Sequence, residues 1–161
     1  MSIAIEPEAL SLFLFFISIG IGAGLYETRV VYPNWAVDAL PTTLSSKLVS
    51  SGQAGAARRF WPFVSPIAML LAVVNIYFAW HQAGAVRLLW LISSSTIVVK
   101  SLATYAYFAP VMIRHIERSE EMDPGTLRRM IARWTMLSPM RIIAEVIAWI
   151  SGIGTLILIS K

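Results

Sequence analysis

Lys100 stands in a run from Leu88 to Ile113 that holds no other charged residue. Ser93, Thr96, Lys100, Thr104 and Tyr107 follow one another there at spacings of 3, 4, 4 and 3. That is the repeat of one face of an α-helix. A charge in a helical span costs about 2.5–3.5 kcal/mol on insertion scales, so it is expected to face other helices and find a partner. Glu27 closes the first apolar run, Arg141 and Glu145 open the last, and Asn75 sits near the middle of the second. Arg141, Glu145, Trp149 and Gly152 are spaced to share a face. Two carboxylates, two cations, an amide and a phenol can do definite chemistry. A carboxylate can take a proton, and cations can stabilise the anion that results. The expectation is that Glu27, Lys100, Arg141 and Glu145 carry a reaction, while Asn75, Thr104, Tyr107 and Trp149 contact its substrate. The plain alternative is structural: Arg141 and Glu145 pair as i, i+4 neighbours, and the network only fixes helix register.

The elements that must hold these groups are membrane helices. Of 161 residues, 57% are hydrophobic and 14% charged, against about 45–50% and about 25% in soluble domains. A helix needs about 20 apolar residues to cross the hydrocarbon core. Four stretches qualify, at about 9–32, 60–81, 87–114 and 138–160, and they predict an all-α, single-domain, four-helix transmembrane bundle. Residues 1–8 carry Glu6 and Glu8 and no Lys or Arg, which is not the start of a secretory signal, so the first helix is expected to be retained. It should continue past Glu27 and stop at Pro33. Ser138-Pro139 reads as N-cap and first residue of the fourth helix. Short helices are expected at 43–59 and 126–136 in the two long connections, and a tight turn at 81–87. Gly20 and Gly24 form a small-xxx-small pattern that permits close helix packing. Trp61, Trp80 and Trp90 fall at the expected interfaces with water.

Ten basic residues lie on the side of the two long connections: Arg29, Lys47, Arg58, Arg59, Arg114, Arg118, Arg128, Arg129, Arg133 and Arg141. Arg87 and Lys161 lie on the other. The positive-inside rule then places both long connections in the cytoplasm and both termini outside, as in a multi-pass protein of a bacterial inner membrane. The net charge of +4 is thereby a topology signal, and nucleic acid is not an expected partner. The expected partners are the lipid bilayer and a lipophilic small molecule; a homo-oligomer is compatible with the pattern. Absence of cysteine excludes disulfides, iron–sulfur clusters and thiolate chemistry. His81 and His115 are the only histidines and are expected at opposite membrane faces, so they cannot share a haem or metal within a monomer. No metal site and no cofactor are expected; a haem held by His115 alone is the remaining alternative.

The segment Gly20-Ile-Gly-Ala-Gly-Leu-Tyr26-Glu27, followed by Val31-Tyr32-Pro33, resembles the opening of the small four-helix membrane proteins grouped with anthrone oxygenases. The segment Trp134, Ser138-Pro139-Met140-Arg141, Glu145, Trp149 is similar in layout to that group's passage into its last helix. The resemblance implies a four-helix fold and, by its named members, cofactor-free oxygenation of polycyclic phenols. On that reading a phenolic or quinol-like substrate enters from the bilayer. Glu27 or Glu145 acts as base, and Lys100 with Arg141 stabilises the anion. A small-solute or proton binding and transport module, and a structural subunit of a membrane complex, remain open beside it.

Overall fold

The computed structural model describes residues 5–37, 41–111 and 119–160. These are helical almost throughout: α1 (Ile5–Tyr26), a π turn (Glu27–Val31), α2 (Tyr32–Val37), α3 (Pro41–Ser50), α4 (Gln53–Trp80), α5 (Gly84–Ala103), a second π turn (Thr104–Phe108), α6 (Ala109–Val111), a 3₁₀ turn (Ser119–Glu121) and α7 (Pro124–Ile159). Four continuous helical stretches are long and apolar enough to cross a membrane: Glu6–Trp35, Gln53–Trp80, Gly84–Val111 and Pro124–Ile159. The expected ends of the third helix at 112–114, together with His115 and its haem alternative, lie outside the described residues.

The spans pack in a ring. The first touches the second, the second the third, the third the fourth, and the fourth returns to the first. The interior mixes bulky apolar side chains, Phe13, Ile17, Trp90 and Ile97 among them, with polar ones, Asn75, Ser93, Ser94, Ser101, Ser138, Glu145 and Thr155, while Phe15, Leu70, Val99, Leu102 and Ile150 are exposed. Small and hydroxylated side chains at helix contacts, with apolar ones on the outside, suit packing in lipid. Gly152 shows how close this packing is: a Cβ there would lie 2.6 Å from Leu14 and 3.0 Å from Ser93 Oγ. Ser93 Oγ donates to the Ala148 carbonyl at 2.7 Å, so the first, third and fourth spans meet at that point.

The fourth helix corrects the expected boundary. It starts at Pro124, not Pro139: Asp123 is the N-cap, its carboxylate accepting from the Thr126 amide at 2.9 Å. The inward residues Leu127, Ile131, Trp134, Ser138, Arg141, Glu145, Ala148, Gly152 and Thr155 alternate 4 and 3 without a break. This repeat carries one face straight through Pro139. The expected short helix at 126–136 is therefore the start of the fourth span. At 36 residues the helix is about 54 Å long, which exceeds the about 30 Å hydrocarbon core. Its first turns cover α3 instead. Leu127, Ile131 and Trp134 form an apolar cluster there with Leu44, Leu48, Tyr32, Trp35 and Phe108. Likewise α3 ends at Ser50. Gly52, at φ +72°, turns the chain in a conformation glycine adopts without strain, and residues 53–59 begin the second span rather than ending an interfacial helix.

The first helix does not stop at Pro33 either. It widens into a π turn at Glu27–Val31 and continues through Pro33 to Val37. The third span does the same: its π turn ends at Phe108, and Pro110 follows two residues later. A proline ring clashes with the carbonyl four residues back in a regular α-helix. A widened turn at the same offset before each proline relieves that clash and keeps the span continuous.

Candidate functional site

A polar layer separates the cluster around Trp134 from a second one built on Leu10, Phe13, Ile17, Ala72, Trp90 and Ala148. At its centre Lys100 Nζ donates to Glu145 Oε1 at 2.9 Å, with both side chains 7% exposed. Lys100 is thus on an inward face, but that face runs through Ser93, Ile97, Lys100 and Phe108. Thr96 and Tyr107 stand at its edge. Gly20 leaves the space that Glu145 fills: a Cβ at this position would lie 2.8 Å from Glu145 Oε1. Gly24, one turn on, does the same for Ile142.

Arg141 does not pair with its i+4 neighbour. It forms no ion pair among the described residues. Its guanidinium lies 4.7 Å from the Phe108 ring centre and 5.6 Å from that of Trp61, within range for cation–π attraction. Its Nε is buried without a hydrogen-bond acceptor. Glu27 is held by two donors, Tyr32 Oη at 2.6 Å and Trp61 Nε1 at 2.7 Å. Residues five apart on an α-helix point about 140° away from each other at 100° per residue. The π turn, with its i to i+5 bonding, brings Glu27 and Tyr32 together.

Two spaces adjoin these groups. One is a small cavity of about 10 Å³ lined by Gly20, Gly24, Glu27, Tyr32, Trp61, Arg141 and Glu145. The other is an open groove of about 610 Å³ between the third and fourth spans. Val99, Ala103, Ala106, Leu137, Met140 and Ala144 make it apolar, and Thr96, Lys100, Tyr107 and Arg141 add polar groups. Val99 and Met140 are largely exposed, so the groove faces the region a bilayer would occupy. Arg141 lines both spaces, and the Lys100–Glu145 pair stands between them.

Glu27, Lys100, Arg141, Glu145 and Tyr107 therefore gather around these two spaces. Three other expected residues do not. Asn75 is fully buried, where it donates to the Leu71 and Ala9 carbonyls and accepts from Trp90 Nε1 at 2.8 Å. Trp90 lies ten residues from Lys100, about 15 Å along the helix, so Asn75 clamps the first, second and third spans together away from the two spaces. Thr104 spends its hydroxyl on the Lys100 carbonyl at 2.8 Å. Trp149 donates to Ser18 at 3.0 Å on the outside of the bundle, because the inward position falls on Ala148. Of the tryptophans expected at the interfaces, Trp80 is exposed with Arg87 4.4 Å over its ring. Trp90 is fully buried, and Trp61 serves Glu27. Among the described residues no group of three His, Cys, Asp or Glu side chains is placed to hold a metal.

Compared with family models, curated proteins and solved structures, the chain finds no match.

Proposed function

We propose that this protein is a membrane-embedded oxidoreductase that draws a lipophilic phenol or quinol-like molecule from the bilayer into the groove between the third and fourth spans. The observation that carries the reading is Lys100 and Arg141 together on the wall of an apolar, outward-facing groove of about 610 Å³, within the about 300–1,000 Å³ range of ligand pockets. Lys100 already has Glu145 as counter-ion. Arg141 has rings beside it instead. A surplus cation in a low-dielectric wall favours the ionised form of a phenol bound there. Glu145 would take the proton by way of Lys100, which gives it one proton and takes the phenol's in exchange, and the two cations would hold the anion while its electrons become available to dioxygen. For an anthrone the balance is R₂CH₂ + O₂ → R₂C=O + H₂O, with the carbon oxidised and dioxygen reduced. The resemblance to the anthrone oxygenase group supports this class of substrate. The ten-to-two distribution of basic residues supports a bacterial inner membrane with both termini outside.

The test is oxygen uptake and product analysis with the purified protein in nanodiscs, given a hydroxyanthrone in air. Turnover in wild type that is lost in Glu145→Gln, with the helical fold retained, is the expected result. A groove that binds the hydroxyanthrone without consuming dioxygen would make the protein a binding or transport module instead.

A further inference from the structure

The small cavity behind the ion pair is too small for a lipophile, yet it is lined by both carboxylates. Glu27 faces it from the first span and Glu145 from the fourth, with Arg141 between them. Its volume of about 10 Å³ is close to what one water occupies, and a buried water needs two to four polar partners. The two carboxylates line the cavity with Arg141, whose Nε is unpaired, and are the polar groups it offers to a water. Glu145 also reaches the groove side through Lys100, which lines that groove.

We propose that this cavity is a proton relay, in which Glu145 passes the proton it takes from the substrate to a cavity water and Glu27 receives it. The inference rests on Glu145 as the base of the proposed reaction. The substrate's X–H bond and one Lys100 N–H bond break, and a Glu145 O–H bond and a new Lys100 N–H bond form, so that Lys100 ends as it began. The water then takes that proton and releases another to Glu27, and Glu145 returns to its carboxylate. No electron moves. Arg141 stays charged and orients the water. Tyr32 and Trp61 pin both oxygens of Glu27, so the receiver is fixed in place and never touches the substrate.

The test needs no substrate, so it can fail independently of the proposed reaction. The protonation of Glu145 is followed by rapid-scan infrared spectroscopy after a pH jump, on the full chain in nanodiscs, using the carboxyl band that Glu145→Gln removes. The charged and titratable groups facing Glu145 are Lys100 from the third span, Arg141 from its own, and Glu27 and Tyr32 from the first; the second contributes the neutral Trp61. Glu27→Gln keeps the shape: its amide oxygen can accept from Trp61 and its amide nitrogen can donate to Tyr32. With a relay, this variant protonates Glu145 about a hundredfold more slowly, the low end of what positioned proton transfer contributes. Glu27→Asp, which keeps a carboxyl group, recovers most of the rate. A purely electrostatic influence of Glu27 would move the titration midpoint and leave the rate alone. Should Glu27→Gln not fold, Ser138→Leu, at a residue that also lines the cavity, fills it and leaves both carboxylates in the chain. The relay predicts the same slowing there. An unchanged rate in either variant overturns it.

Discussion

Replacing Lys100 with methionine removes the ammonium group and keeps an unbranched chain of similar reach. Glu145 is then left with 7% of its side chain exposed and no cation in contact. Arg141 lines the same cavity but is held over aromatic rings, not against the carboxylate. Removing one partner of a buried pair costs about 3–5 kcal/mol because the other charge is stranded. Residual attraction to Arg141 puts the expectation at the low end, about 3 kcal/mol, or about a hundredfold in the folded ratio. Glu145→Met strands Lys100 and should cost about as much. The double variant Lys100→Met/Glu145→Met strands nothing and should lie within about 1 kcal/mol of wild type. The assay is equilibrium unfolding in mixed micelles of rising dodecyl sulfate fraction, followed by far-ultraviolet circular dichroism. A coupling energy of about 2 kcal/mol or more between the two sites is predicted. If Lys100→Met costs under about 0.5 kcal/mol, the level of an ordinary surface change, and the cycle shows no coupling, the buried pair is not what holds this layer together.

Three further outcomes follow from the same geometry. Gly20→Ala puts a methyl 2.8 Å from Glu145 Oε1 and should cost about 1–3 kcal/mol as overpacking, while Gly22→Ala, with nothing within 4 Å, should cost nothing in the same unfolding assay. The hydrogen bonds from Thr126 hold the Asp123 carboxyl below the usual carboxylate range; its capping contribution is therefore complete above about pH 3.9 and is lost as pH falls through the lower folded value. Amide exchange at Thr126, normalised to Asp123→Asn, should show that loss on the acid side only. Because the chain lacks cysteine, single cysteines at Ser2 and Ser160 can be tested with an impermeant maleimide on intact cells, and both should label from outside while one at Ser51 does not.

Much of this arrangement was legible from residue spacing, and the failures share a cause. Lys100 announces itself as a charge in an apolar run, and Gly20 and Gly24 announce a close helix contact. The pairing of Lys100 with Glu145 rather than Glu27 depends on the ring order of the spans, which places the fourth between the first and third. Helix periodicity gives face and depth but not neighbours. Trp61 and Trp90 read as interface residues because tryptophan is common there, yet Trp90 donates to the buried Asn75 and Trp61 to the half-buried Glu27. The two π turns were readable only through Pro33 and Pro110, prolines that interrupt apolar runs without ending them. Each residue inserted by such a turn rotates everything beyond it, which is why Phe108 rather than Tyr107 points inward. The fourth helix was divided at Pro139 although the 4,3 spacing from Leu127 to Thr155 runs through it. There the local cap signal outweighed the longer pattern, and Asp123 is the true cap.

The proposed occupant of the groove beside Lys100 and Arg141 is a lipophile with an ionisable hydroxyl. The most direct test is equilibrium binding of a hydroxyanthrone and its methyl ether to the protein in nanodiscs. Wild type is compared with Ala144→Phe, which fills the groove, and Asn75→Leu, which alters the Trp90 cluster away from it. Wild type should prefer the free hydroxyl over the ether by about tenfold or more, as expected where a polar site loses its hydrogen-bonding partner. Ala144→Phe should abolish this binding, and folded Asn75→Leu should retain it. Equal affinity for the two compounds, or undiminished binding to Ala144→Phe, would contradict this proposal.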